Sequence, residues 1–117
     1  YAAGDDTTAR EHWHALAETG DPRAQAAMAS LYLYGNGVAH DPAVAADWFR
    51  RAAMQGDAIA QLNLGELYER GTGVDRNPAI ARAWYSLAAN QGNAWAAERR
   101  DALAQQVDGT APATASR

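Results

Sequence analysis

The side chains able to do chemistry are few in this chain, and they are poorly spaced for it. There are three histidines, His12, His14 and His40. His12 and His14 are two apart on a predicted helix, so their rings diverge, and His40 stands alone in a loop. A metal ion would need a third convergent ligand. Glu66 and Glu69 are three apart and can approach each other on a helix surface, with Asp75 in the loop beyond. An acid–base pair also needs a pocket that shifts one pKa, and no pattern places one there. Ser30, Ser86 and Ser116 lie outside any Gly-x-Ser-x-Gly context. Gly35-Asn36-Gly37 and Gly71-Thr72-Gly73 carry glycines without the spacing of a phosphate cradle, and turns that need positive φ explain them better. No catalytic residue, metal site or cofactor is expected. Trp95 is the residue that suggests binding: an exposed tryptophan is a plausible interface anchor, unless it folds onto Arg99 one turn on.

Composition narrows the partner. The 117 residues carry a net charge of −4, without the basic footprint of a nucleic-acid binder. All 10 basic residues are arginine, which reads as the codon bias of a GC-rich genome before it reads as recognition chemistry. Cysteine is absent, which excludes disulfides and thiolate metal sites. No apolar run is long enough to span a membrane. The chain starts at Tyr1, which fits a processed segment that has lost a signal peptide or a cut from a longer protein.

The elements that position these residues recur. Gly20, Gly56 and Gly92 are 36 residues apart. Leu31, Leu67 and Leu103 keep the same step, as do Ala24, Ala60 and Ala96. Gly35, Gly37 and Val38 return as Gly71, Gly73 and Val74, and Trp48-Phe49 returns as Trp84-Tyr85. A fixed period of this length is the mark of a solenoid. Each unit reads as two helices. Asp57 caps the first, whose apolar face is Ala60, Leu64, Leu67 and Tyr68. Asn77-Pro78 opens the second, whose face is Ala81, Trp84, Tyr85, Ala88 and Ala89, and Gly92 closes it. Trp13 aligns with Phe49 and Tyr85 and is expected in the core, like Trp48 and Trp84. Six helices follow: a leading helix from about Thr8, which with Glu11 makes a capping-box pattern; repeats 21–56 and 57–92; and a closing helix over 93–106. That makes one solenoid over 1–106, with a disordered tail over 107–117. In the closing helix Arg100 replaces Met28 and Leu64, and Ala104 replaces Tyr32 and Tyr68. That reads as a polar cap at Arg99-Arg100.

The loop Gly-x-Gly-Val, then Asp/Asn-Pro, then Ala-x-x-Trp-aromatic-x-x-Ala-Ala-x-Gln-Gly-Asp/Asn resembles the Sel1-like repeat, a relative of the tetratricopeptide repeat, over about residues 9–104. His12 departs from the pattern where Trp48 and Trp84 fit it. The resemblance implies an all-α fold, a right-handed α-α superhelix, used as an adaptor surface. Residues Ala2 to Asp5 resemble the start of small bacterial members, which are often exported. This implies a periplasmic or secreted location, with the cytoplasm as the alternative. A cysteine-rich branch is linked to β-lactam hydrolysis, but its cysteines are missing here.

The first helix of each solenoid unit lines the concave side. Beside the core face of the central one lie Ile59, Asn63, Glu66 and Arg70. One repeat back stand Arg23, Ser30 and Tyr34, with Ala27 between them. One repeat on stand Trp95, Arg99 and Gln106. This mixture suits a protein or peptide. The expected function is a monomeric, non-catalytic adaptor. The alternatives are a cell-envelope or β-lactam-type hydrolase and a self-assembling structural module.

Overall fold

The computed structural model describes residues 3–107, and side chains within residues 9–105. Six helices follow one another: α1 (Ala3–Glu18), α2 (Pro22–Tyr34), α3 (Pro42–Met54), α4 (Ala58–Arg70), α5 (Pro78–Asn90) and α6 (Ala94–Val107). Among the described residues there is no strand. The caps read from the sequence are in place. The Asp21 carboxylate accepts from the backbone N–H of Arg23 and Ala24, and Asp41 accepts from Val44. Asp57 accepts from Ala60, Asn77 from Ile80 and Asn93 from Ala96, at 2.8–3.0 Å. Each satisfies an N–H that the helix itself leaves unbonded.

The first helix of each repeat ends on a left-handed glycine, Gly35 (φ 70°) and Gly71 (φ 75°). Their N–H groups bond back to the carbonyls of Leu31 and Leu67. The loop then returns tightly: Asp41 N–H bonds to Tyr32 O and Asn77 N–H to Tyr68 O, both at 2.8 Å. The two glycine loops are therefore turns.

Helices pack on their sequence neighbours, α1 on α2, α2 on α3, and so on to α6. The result is a rod of 61 × 25 × 23 Å with a radius of gyration of 16.3 Å. A compact chain of roughly 100 residues measures about 13 Å. The core is largely alanine with a few large side chains: Phe49, Tyr85, Met28, Leu64 and Leu103 are fully buried. Trp48 is 7% exposed, while Trp84 is half-buried against the same core.

Polar cross-links stitch consecutive repeats together. Buried Gln25 donates to Ala17 O at 3.1 Å and accepts from Gln55 at 2.8 Å. One repeat on, Gln61 donates to Ala53 O at 3.1 Å and accepts from Gln91 at 3.0 Å. Each glutamine thus ties three helices, and Ala97 stands at the third equivalent position.

Three expectations are corrected. Helix α1 begins at Ala3, so Thr8 lies inside it and not at its N-terminus; Asp5 and Asp6 fall in the first turn, where negative charge is favoured. Trp13 is 41% exposed. Phe49 and Tyr85 lie in helices packed on both sides, whereas among the described residues α1 packs mainly on α2 and meets α3 through His14 and Glu18. Val107 is helical, and the rest of the expected tail, 108–117, lies outside the described residues.

Candidate functional site

The repeat geometry brings the last turn of α2 against the middle of α4. Between them lies a cleft of about 260 Å³. Leu33 and Leu67 form its floor, and Asn63 presents an amide from α4. Tyr34, Glu66 and Arg70 stand at the rim, with His40 and Thr72 contributed by the two glycine loops. Tyr34 is 70% exposed. Glu66 and Arg70 are one turn apart and make a long ion pair of 3.9 Å, with the Arg70 side chain 73% exposed.

Four stripe residues read from the sequence, Tyr34, Asn63, Glu66 and Arg70, therefore meet around one cleft. Arg23 and Ser30 do not line it; Arg23 is exposed on α2 and Ser30 is half-buried. Ile59 and Trp95 occupy equivalent positions on α4 and α6 and are 58% and 51% exposed. The side chain of Gln106 lies outside the described residues.

Arg99 corrects the expected polar cap. It does not stand outward with Arg100 at the end of the array. Its guanidinium reaches from α6 to Glu69 on α4, with Nε 3.3 Å from Oε1 and the second nitrogen on Oε2. Tyr85 on α5 donates its hydroxyl to the same carboxylate at 2.7 Å. Arg100 pairs with Asp101 instead, at 3.0 Å.

This triad sits one repeat on from the cleft, and its chemistry differs at every position. Adding 36 to Leu33, Phe49 and Asn63 gives Glu69, Tyr85 and Arg99. At the first junction the three groups are apolar, apolar and a short amide, and a cleft remains. At the second, acid, phenol and guanidinium bond to one another across it. The three substitutions were visible in the aligned repeats, but only their packing reveals that they act together.

The electrostatics follow from the bonding. Burial pushes the Glu69 carboxyl up, but the hydrogen bonds from Arg99 and Tyr85 outweigh it and hold the group below its ordinary value. Burial and the adjacent Glu69 carboxylate push the Tyr85 hydroxyl well above the usual phenol range. Glu69 is thus held ionised and Tyr85 protonated, which is a brace and not a proton-transfer pair.

A second cluster lies between α1 and α3. The Arg51 guanidinium stacks on Trp48 at 4.5 Å from the ring centre, and His14 meets the same ring edge-on at 5.9 Å. Glu18 lies 3.7 Å from Arg51 and 3.8 Å from His14. Among the described residues, no three His, Asp or Glu side chains gather as metal ligands would.

A rod of six helices packed in sequence order, with repeating helix pairs, defines a helical-repeat protein. The Sel1 repeat model matches residues 22–57 and again 58–93. The chain belongs to the Sel1 repeat family, whose members generally mediate protein–protein interaction. It is similar to the crystal structure of a Sel1 repeat protein from Oxalobacter formigenes, with 42% identity and a TM-score of 0.74, over 76% of this chain and 67% of that one. It is also similar to a protective antigen of uropathogenic Escherichia coli strains that displays an SLR fold. There the identity is 43% and the TM-score 0.74, over 75% of this chain but 19% of the antigen. No curated protein matches the chain.

Proposed function

We propose that this chain is a non-catalytic adaptor that holds a protein or peptide segment on the face made by α2, α4 and α6, centred on the cleft between α2 and α4. The observation that carries this reading is the convergence of Tyr34, Asn63, Glu66 and Arg70 on that cleft. Its rim mixes an aromatic ring, an amide and both signs of charge over an apolar floor, which is the composition of binding hot spots. Rigid stacked helices present these groups with little entropy left to lose on binding. The shifted titratable groups favour a scaffold over a hydrolase, because Glu69, Tyr85 and Arg99 are spent on one another.

The test is site-directed photo-crosslinking. Benzoylphenylalanine placed at Tyr34 should give one adduct with a cellular protein. The same group at Leu87, on α5, should give none. Adduct formation should fall with Asn63→Ala and Glu66→Ala introduced together. Equal adducts from both positions, or none from Tyr34, would sink the reading. We place the protein as a monomer in the periplasm or outside the cell, on the likeness of residues 2–5 to the start of exported members of the family. Recovery of the full-length product in a cytoplasmic fraction alone would overturn that placement.

A further inference from the structure

We infer that the cleft between α2 and α4 takes the arginine side chain of a basic peptide segment, with Glu66 as its carboxylate partner and the Tyr34 ring as its cover. This rests on the adaptor reading above.

The molecule supplies its own precedent. One repeat on, an arginine already lies between consecutive first-type helices: Arg99 of α6 reaches Glu69 of α4 through two guanidinium nitrogens. At the first junction the equivalent of Arg99 is Asn63, whose shorter side chain leaves about 260 Å³ open. The equivalent of Glu69 there is Leu33, so the carboxylate that a partner's guanidinium would meet is Glu66, three residues on from Asn63 on α4.

The cleft holds what that group needs. Glu66 lines it with its side chain 31% exposed, and its pair with Arg70 is stretched to 3.9 Å on a guanidinium that is 73% in solvent. An exposed pair within one helix contributes little, so Arg70 yields to a cation that can meet the carboxylate through a planar fork. Tyr34 stands at the rim, 70% exposed, and offers a ring face to the same cation. Arg51 already stacks in this way on Trp48, at 4.5 Å. Leu33 and Leu67 floor the cleft and accept the methylene stem of an arginine. The net charge of −4 favours a basic partner's approach. A partner carboxylate would face Glu66 at close range and gain only the solvated Arg70.

The experiment uses dye-labelled, acetylated and amidated heptapeptides that differ at one central residue: arginine, its neutral isostere citrulline, lysine or glutamate. Binding to the intact chain is read by fluorescence anisotropy. The arginine peptide should bind about tenfold tighter than the citrulline one, the scale of a charge-assisted bidentate contact. Glu66→Gln should erase that preference. Tyr34→Ala should weaken arginine binding about threefold, as loss of an exposed cation–π contact does. Arg70→Ala should strengthen it by removing the competing cation. All three changes are on exposed or half-exposed side chains, and unchanged helical circular dichroism checks the fold. Equal binding of arginine and citrulline, tightest binding of glutamate, or indifference to Glu66→Gln overturns the proposal. If no peptide binds but benzoylphenylalanine at Tyr34 still gives its adduct, the arginine assignment fails and the adaptor reading stands. If both fail, both readings fall.

Discussion

Glu69 illustrates how one substitution changes what its neighbours can be. With a carboxylate at this position, the Tyr85 hydroxyl and the Arg99 guanidinium both have an acceptor. With Leu33 at the equivalent position, the aromatic is Phe49, which has no hydroxyl, and the third residue is the short Asn63. Glu69→Leu alone should cost about 1–3 kcal/mol, because it leaves a phenol and a guanidinium unpaired in a partly buried place. Glu69→Leu, Tyr85→Phe and Arg99→Asn together copy the first junction, and should return to within about 1 kcal/mol of the natural chain, since matched partners have been replaced by matched partners. Urea unfolding measures both; a triple variant no more stable than the single one would show that the three residues do not act as a unit. The pH dependence has a definite sign. The folded Glu69 carboxyl lies below its ordinary value of 4.5. Its contribution is therefore complete above that value and is lost as pH falls through the folded one. The stability gap between the natural chain and Glu69→Gln should shrink as pH falls below the ordinary carboxylate value of 4.5. A gap that stays constant as the solution is acidified would remove the pKa argument.

At the scale of the helices, position 65 sets two requirements against each other. Gly65 lies mid-helix in α4, where alanine would raise helix propensity by about 1 kcal/mol. A Cβ there would stand 2.9 Å from two carbons of the Tyr85 ring and 3.3 Å from Ala81 O. The ring is fully buried and cannot move aside, and overpacking costs about 1–3 kcal/mol. Gly65→Ala should therefore destabilise by about 1 kcal/mol net, and a higher melting temperature would show that α5 shifts to make room. The buried glutamines give a larger effect. Gln61→Ala removes the donor to Ala53 O and the acceptor for Gln91, and should cost about 2 kcal/mol by denaturant unfolding. These contacts also mark what the sequence made legible. The caps at Asp21, Asp41, Asp57, Asn77 and Asn93 were readable because a cap is a local event within three residues. So were the glycine turns and the buried faces of α4 and α5. The start of α1 was not, because Thr8 imitates a cap while Asp5 and Asp6 favour an earlier first turn. Nor was the Glu69–Arg99 bond, which spans 30 residues and follows no helical period. Of the stripe, four residues meet at the cleft because they lie at the α2–α4 junction. The others belong to junctions and helix ends that periodicity alone does not distinguish.

Over the whole molecule, the buried residues form two clusters. One runs from Ala17 to Leu67 and includes Met28, Trp48, Phe49 and Leu64. The other comprises Ala81, Tyr85, Ala88, Ala96 and Leu103. Tyr68 packs against both, and its hydroxyl accepts from Arg50 of α3 at 2.9 Å. In a stacked array each helix feels mainly its neighbours, so cooperativity passes through such joints rather than through a shared centre. The second cluster has five buried residues against thirteen in the first, so it buries less apolar surface and should open at lower free energy. Amides of α6 should then exchange faster with deuterium than those of α3 and α4. Tyr68→Ala should widen that difference, because it removes the side chain both clusters share. The tryptophans make this measurable by site: Trp13, Trp48, Trp84 and Trp95 lie in α1, α3, α5 and α6 respectively. In the natural chain their indole resonances should lose intensity together with urea. In Tyr68→Ala, Trp95 should go first and Trp48 last. If all four still melt at one midpoint in the variant, Tyr68 is not the joint, and the glutamine cross-links from Gln61 to Ala53 and Gln91 carry the coupling along the rod instead.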